Sequence, residues 1–419
     1  MLLKNNLLSY IQISLYMLPI SLIIGSLIVN INVLFFLFLS TIYIIKNSLK
    51  VKFDSVNISL FLFFFTLIVS SFLNIKVIGL ENFIKSILLL KFFLLFLFLN
   101  ILIKDNKINF EIFFKICLFS ILFVAIDVII QFIFGKNILG FLPHEGRITG
   151  IFGTEAIAGA FIQKLFIFGL IGIFLIAHQK EYKINIYEIL FFSIIMLGSF
   201  VASNRMSFII MTITIIFLAM FYKVFRKSLL VCLAIAIPVF LILFKTNHGV
   251  NLKFNDLKSK SQILFERSIQ LLNEKENEKI KLSNHGKIYL SSIRSFNENK
   301  ILGGGLKSFK YQCFKYVAED NTLCSTHPHN YHLEILHDSG FVGFALLTFF
   351  VFALLFSKYK SLKTSSLNYA EKIVLSLLIL NFLIEVFPLK STGSLFSTWT
   401  GTILWLSIGM INYDKKINQ

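Results

Sequence analysis

From Asn5 to Ile45 the chain contains no Asp, Glu, Lys or Arg, and similar stretches recur to its far end. A run of about twenty apolar residues is long enough to cross the hydrocarbon core of a bilayer as a helix. In lipid every backbone N–H and C=O must find a partner within the chain, which leaves helices or a closed barrel. A barrel would show short alternating strands, and these runs do not alternate. Charged residues are 15% of the 419, too few to solvate a water-soluble protein of this size, while hydrophobic residues are 56% and Phe numbers 50. The mean hydropathy of +0.80 points the same way. The chain therefore reads as an all-α membrane protein.

About twelve transmembrane helices are expected, near 7–27, 29–46, 56–75, 82–103, 111–135, 156–177, 185–203, 206–223, 228–245, 340–357, 371–388 and 395–412. The first run lacks a small-residue cleavage site and reads as a retained helix, not a signal peptide. Lys and Arg crowd alternate loops: Lys4; Lys46, Lys50 and Lys52; Lys104 and Lys107; Lys180 and Lys183; Lys223, Arg226 and Lys227; Lys358, Lys360 and Lys363; Lys415 and Lys416. The other short loops carry far fewer: Lys76, Lys136, Arg147, Arg205 and Lys390. By the positive-inside rule both termini are expected in the cytoplasm. The net charge of +18 is then assigned to loops facing anionic headgroups, not to nucleic acid. Three regions follow: spans one to nine in 1–245, one large outward loop domain in 246–338, and spans ten to twelve in 339–419.

That outward loop holds most of the polar chemistry. Asn251 to Lys281 is charged and helix-prone, and Ile288, Leu290, Ile293 and Phe296 approximate a helical stripe. Gly303, Gly304 and Gly305 mark a turn. Cys313 and Cys324 flank a short polar loop. In an oxidising compartment a disulfide between them would contribute roughly 3 kcal/mol; two unpaired thiols are the other reading. Cys117 and Cys232 sit in apolar runs as inert core thiols. Five of the eight histidines fall between His285 and His337, four of them within Thr326–Gly340, with Asn330 a candidate N-cap.

Two smaller outward features stand beside the histidine run: Arg147 in the Gly-rich stretch Glu145–Glu155, and Arg205 in a tight turn between two spans. A guanidinium fork suits phosphate or diphosphate oxygens, and a neutral histidine suits proton abstraction near pH 7. Cation plus base, without a Ser or Cys nucleophile, describes transfer from an activated phosphate ester to a hydroxyl. An arginine at the interface can also be a snorkelling anchor. His329, His332, His337, Glu334 and Asp338 are metal-ligand types, yet no His-Glu-x-x-His spacing is present, and no metal site is assigned.

His329-Asn330, nine intervening residues, Gly340, two residues and Gly343 resemble the motif of the O-antigen ligase and O-antigen polymerase superfamily, bacterial polytopic enzymes acting on polyprenyl-linked glycans. The resemblance extends to the twelve-span plan, the turn from Leu302 to Gly305 and the outward Arg205. It implies an inner-membrane glycosyltransferase, free of metal and nucleotide cofactors, that takes an undecaprenyl-diphosphate-linked glycan as donor. His329 would act as base or orient the acceptor hydroxyl, beside Asn330 on the substrate side, and Arg205 would hold the donor diphosphate. Arg147 matches an earlier outward arginine of the family. Family loops carry one more arginine after a glycine; here Gly286 precedes Lys287, and either Lys287 or Arg294 takes that place. A lipid A-core acceptor makes the chain a ligase, a second lipid-linked repeat a polymerase, a protein hydroxyl an oligosaccharyltransferase. A transporter using histidines as proton relays is the rival outside enzymes, but polar chemistry gathered in one loop favours catalysis.

Overall fold

A computed structural model describes residues 2–51, 53–105, 108–177, 185–202, 204–246, 255, 258–259, 284–315, 324–364, 367–388 and 390–413. The helix-prone stretch from Asn251 to Lys281 lies almost wholly outside these, as does 316–323 between Cys313 and Cys324. The chain divides into two compact units, one of Met1–Asn109 with Leu282–Gln419, the other of Phe110–Lys281.

The described helices, in chain order, begin with α1 (Leu2–Ile24), α2 (Ser26–Lys46), α3 (Ser55–Leu73), α4 (Ile75–Leu88) and α5 (Leu90–Lys104). There follow α6 (Phe110–Phe134), α7 (Ala158–Ala177), α8 (Ile186–Val201), α9 (Arg205–Phe221) and α10 (Lys223–Thr246). The last are α11 (Asn284–Phe296), α12 (Tyr331–Thr364), α13 (Tyr369–Glu385) and α14 (Thr398–Met410). No strand occurs among the described residues beyond one isolated bridge, His144 to Arg147. Local sequence marks the helix starts: Asp54 accepts the Asn57 amide at 2.9 Å, and Asn368 with Glu371 forms a reciprocal capping box on α13.

A helix lies at each of the twelve expected places, but among the described residues seven spans are long and apolar enough to cross a membrane. These are α1, α2, α3, α4 with α5, α6, α7 and α12. Length decides part of the difference: α14 has 13 residues, about 20 Å at 1.5 Å each. Large apolar side chains stand outward, among them Leu27, Phe38, Ile45 and Phe65. In water such faces would be a liability; in lipid they match the solvent. The protein is a multi-pass membrane protein.

In the first unit α12 packs along α3, α1 on α2 and α14 on α5. In the second, α7 packs on α6 and α8. Gly172 permits the α6–α7 approach, since a Cβ there would lie 2.4 Å from the Phe114 carbonyl oxygen.

Candidate functional site

The histidine run is bound residue by residue to the connection between α13 and α14. The Thr392 amide donates to the His329 carbonyl at 2.9 Å. Asn330 Nδ2 donates to the Pro388 carbonyl at 2.6 Å, and its Oδ1 accepts the amides of His332 and Leu333, capping α12. His332 Nε2 donates to the Val386 carbonyl at 2.9 Å, and buried Glu334 accepts from the Ser394 hydroxyl and the Leu395 amide. A buried ion pair, Lys390 to Glu385 at 2.9 Å, steadies the same connection. These bonds hold His329 in the left-handed region at φ 56°, a conformation costing a non-glycine residue roughly 1–2 kcal/mol. Asn330 is 5% exposed, and its amide group is committed to the protein.

The His329 ring lies 4.2 Å from that of His327, and its Nε2 is 2.9 Å from Ser325 Oγ. His327 Nδ1 meets Thr326 Oγ1 at 3.1 Å, while its Nε2 is buried without a well-formed hydrogen bond. Burial, and then the charge of His329, push the His327 pKa down to about 4, with Lys307 adding to the push and the Thr392 carbonyl opposing it. His327 is therefore neutral near pH 7 and stays so when a proton settles on its neighbour.

The next part of the run interlocks with the glycine turn. Gly304 and Gly305 amides donate to the His337 and Asp338 carbonyls, and the Phe341 and Val342 amides donate to those of Lys300 and Ile301. Ser70 Oγ on α3 reaches both the Gly303 and Asp338 carbonyls, at 3.0 and 3.1 Å. Gly340 has φ 65° and breaks the helical path inside α12; a Cβ there would sit 2.3 Å from the Ile301 carbonyl oxygen and 2.5 Å from the Gly303 amide. Only glycine fits such a crossing. His337, 1% exposed, bridges Ser308 and Ser295, and Asp338 takes the Lys307 amide at 2.9 Å. These two side chains fasten the crossing from within and have no route to a substrate.

Helix α11 presents Ile288, Ser291, Ser292 and Ser295 to the protein. Lys287 and Arg294, seven residues apart, share an exposed flank, so both cations point away from that face. Ile288 and Tyr289 pack with Phe309 on a disulfide between Cys313 and Cys324, whose Cα atoms are 5.7 Å apart. Tyr289 Oη lies 3.5 Å from the His329 carbonyl, and burial raises its pKa.

Arg147 and Arg205 are built into the second unit. Arg147 is exposed at the tip of a tight hairpin, with His144 and Arg147 exchanging backbone bonds around Glu145 at φ 48° and Gly146 at φ 71°. The root of this loop is pinned by two buried residues one turn apart on α6. Gln131 Oε1 accepts the amides of Thr149 and Gly150 at 2.9 and 2.7 Å, and Asp127 Oδ1 accepts that of Ile138 at 3.0 Å. Arg205 is the exposed first residue of α9, behind Asn204, whose side chain caps the helix at the Ser207 amide. Gly159 at the start of α7 packs against Asn204.

Residues 189–348 match the family model described as O-antigen ligase. That match supports the O-antigen ligase and polymerase superfamily. No curated protein matches it. The superfamily comprises membrane glycosyltransferases, and the matched region includes Arg205, Lys287, Arg294 and the whole span from His329 to Gly343. Arg147 lies before it. In this chain the spacing from His329 to Gly340 has a physical reading: about two and a half turns of α12 separate the clamped histidine from the glycine crossing that anchors it to α3. Among the described residues no group of three His, Cys, Asp or Glu side chains is close enough to hold a metal ion. Beside His332 lies an apolar cavity of about 240 Å³ between α12, α13 and α14, walled by Ile335, Phe344, Val351, Phe382, Leu404 and Trp405.

Sequence reasoning missed Ser325, Ser70, Lys307, Asp127, Gln131 and the clasp from Val386 to Leu395. Asp127 had a signal, a carboxylate inside an apolar run. Lys307 had a weaker one: a lysine just beyond three glycines, which the structure holds at φ 60°.

Proposed function

We propose that this protein transfers a glycan from undecaprenyl diphosphate to an acceptor hydroxyl, first of all lipid A-core, with His329 as the base. The observation that carries the reading is His329 itself: at the family spacing, clamped through its carbonyl, and beside a histidine that stays neutral. The acceptor oxygen attacks the anomeric carbon as its proton passes to His329. The bond from that carbon to the diphosphate breaks, and its electron pair leaves with the diphosphate. Arg205 and Arg147 are assigned to the donor diphosphate, whose growing charge a guanidinium fork stabilises. Lys287 and Arg294 are further cations for donor or acceptor phosphates. The apolar cavity beside His332 offers room to the lipid part of a substrate. The transfer is assigned to the outer face of the inner membrane and needs no metal.

The test is His329→Ala in membranes supplied with lipid-linked donor. Transfer should fall by about 10²–10⁴-fold, the usual share of a general base, with normal protein levels. Retained transfer would remove His329 from the chemistry. The lipopolysaccharide of a deletion strain separates acceptors: loss of the whole O-chain from the core marks a ligase, a single capped repeat a polymerase. Transfer abolished by EDTA would overturn the metal-free assignment.

A further inference from the structure

The disulfide and the candidate base are close in the chain. Cys324 is followed directly by Ser325, whose hydroxyl meets His329 Nε2 at 2.9 Å. The other half of the bond, Cys313, is fully buried against Phe309 and Ile288. Tyr289, next to Ile288 on α11, packs on the same cluster and extends its hydroxyl toward the His329 carbonyl. Beyond His329 the chain is fixed by Asn330 and α12. On the near side, the covalent tie to Cys313 fixes the residue adjoining Ser325.

We propose that Ser325 is the positioning residue of His329, and that the Cys313–Cys324 bond holds Ser325 in place, so that the enzyme works fully only in its oxidised form. This rests on the reading of His329 as the base. The reason is one of ordering. A serine that orients a ring must itself be held, and a segment outside regular structure gives up conformational entropy when it is fixed. The covalent tie limits that loss by restricting the chain before it folds. The Ser325 hydroxyl can donate to Nε2 or accept from it, and either role selects one ring orientation and one tautomer.

The test uses the full chain in nanodiscs and two readouts. Diethyl pyrocarbonate acylates an unprotonated ring nitrogen, and its rate at His329 can be followed by mass spectrometry without any substrate. Ser325→Ala should speed that acylation about fivefold, the size of one ordinary hydrogen bond withdrawn from Nε2. Ser325→Thr, which keeps the hydroxyl, should restore the wild-type rate. Dithiothreitol reduces the bond to two thiols and is itself oxidised to its cyclic disulfide. Treatment of the wild-type chain should reproduce the Ser325→Ala rate, and this arm needs no cysteine variant to fold. Transfer from lipid-linked donor should fall about 10–100-fold in kcat with KM nearly unchanged, as expected for a misplaced reacting group. An unchanged acylation rate in Ser325→Ala overturns the positioning role, and one unchanged by dithiothreitol overturns the role of the disulfide. Full transfer by His329→Ala overturns the underlying reading instead, so the two failures are told apart.

Discussion

The histidine segment and the arginine loops are built in opposite ways. His329 is held through its carbonyl and its ring, and Asn330, His332 and Glu334 each bind one short connection far along the chain. Arg147 and Arg205 stand exposed beyond rigid roots: the first above Gln131 and Asp127, the second on a capped helix start. The contrast fits the tasks proposed for them. A base must meet one hydroxyl proton within a fraction of an ångström, whereas a diphosphate presents several oxygens that a long flexible cation can reach.

The largest effect should come from cutting the clamped side. His329→Ala removes the base, while Gly340→Ala attacks its anchorage, forcing a side chain into a φ of 65° against the Ile301 carbonyl. A loss of about 3 kcal/mol or more is expected for Gly340→Ala, combining backbone strain with a clash. It should appear as a lower melting temperature, together with loss of transfer. On the exposed side the pattern should reverse. Arg205→Ala should weaken transfer about 10–100-fold, the worth of a charge-assisted hydrogen bond, and leave melting nearly unchanged. Arg205→Lys should recover part of it, since charge survives and the fork does not. Equal damage to melting from Gly340→Ala and Arg205→Ala would erase the comparison.

A smaller effect probes the root of the Arg147 hairpin. Gln131→Leu leaves the Thr149 and Gly150 amides without their acceptor, at about 1–3 kcal/mol for buried donors. Limited proteolysis should then cut faster within 135–157, and His329 acylation should stay the same. The smallest effect is one of pH. His327 binds a proton less readily in the fold than in the unfolded chain, because burial and His329 lower its pKa to about 4. Its contribution is fully present above about 6.5 and is lost as pH falls from there toward 4. His327→Phe should flatten that part of the stability profile, measured by thermal melts between pH 4 and 7.

Much of this was legible in the sequence. Helix positions follow from apolar runs, which the bilayer enforces at every residue. The spacing from His329 to Gly340, the cap at Asn330 and the pairing of Cys313 with Cys324 are all local patterns. What escaped is tertiary. Val386 to Leu395 reads as a connector with one lysine, and its bonds to His329, Asn330, His332 and Glu334 cross more than fifty residues of sequence. Ser325 is an ordinary loop serine until the backbone turns it toward His329. Asp127 and Gln131 look misplaced on an apolar helix until their loop folds back on them. Twelve spans were expected, and seven among the described residues are long and apolar enough to cross, because apolar runs do not reveal how much of each becomes helix.

The crossing of the glycine turn over α12 also has a consequence for the order of biosynthesis. Ser70 and Ser71 near the end of α3 find their partners at Gly303, Leu306 and Asp338, more than 230 residues later. All of Phe110–Lys281 is translated in between. The first five helices therefore enter the membrane as a half-built unit, and α3 waits there with hydroxyls whose last bonds arrive only once α12 emerges. A ribosome stalled before residue 300 leaves behind a bundle that has α3 and lacks the helix that locks it.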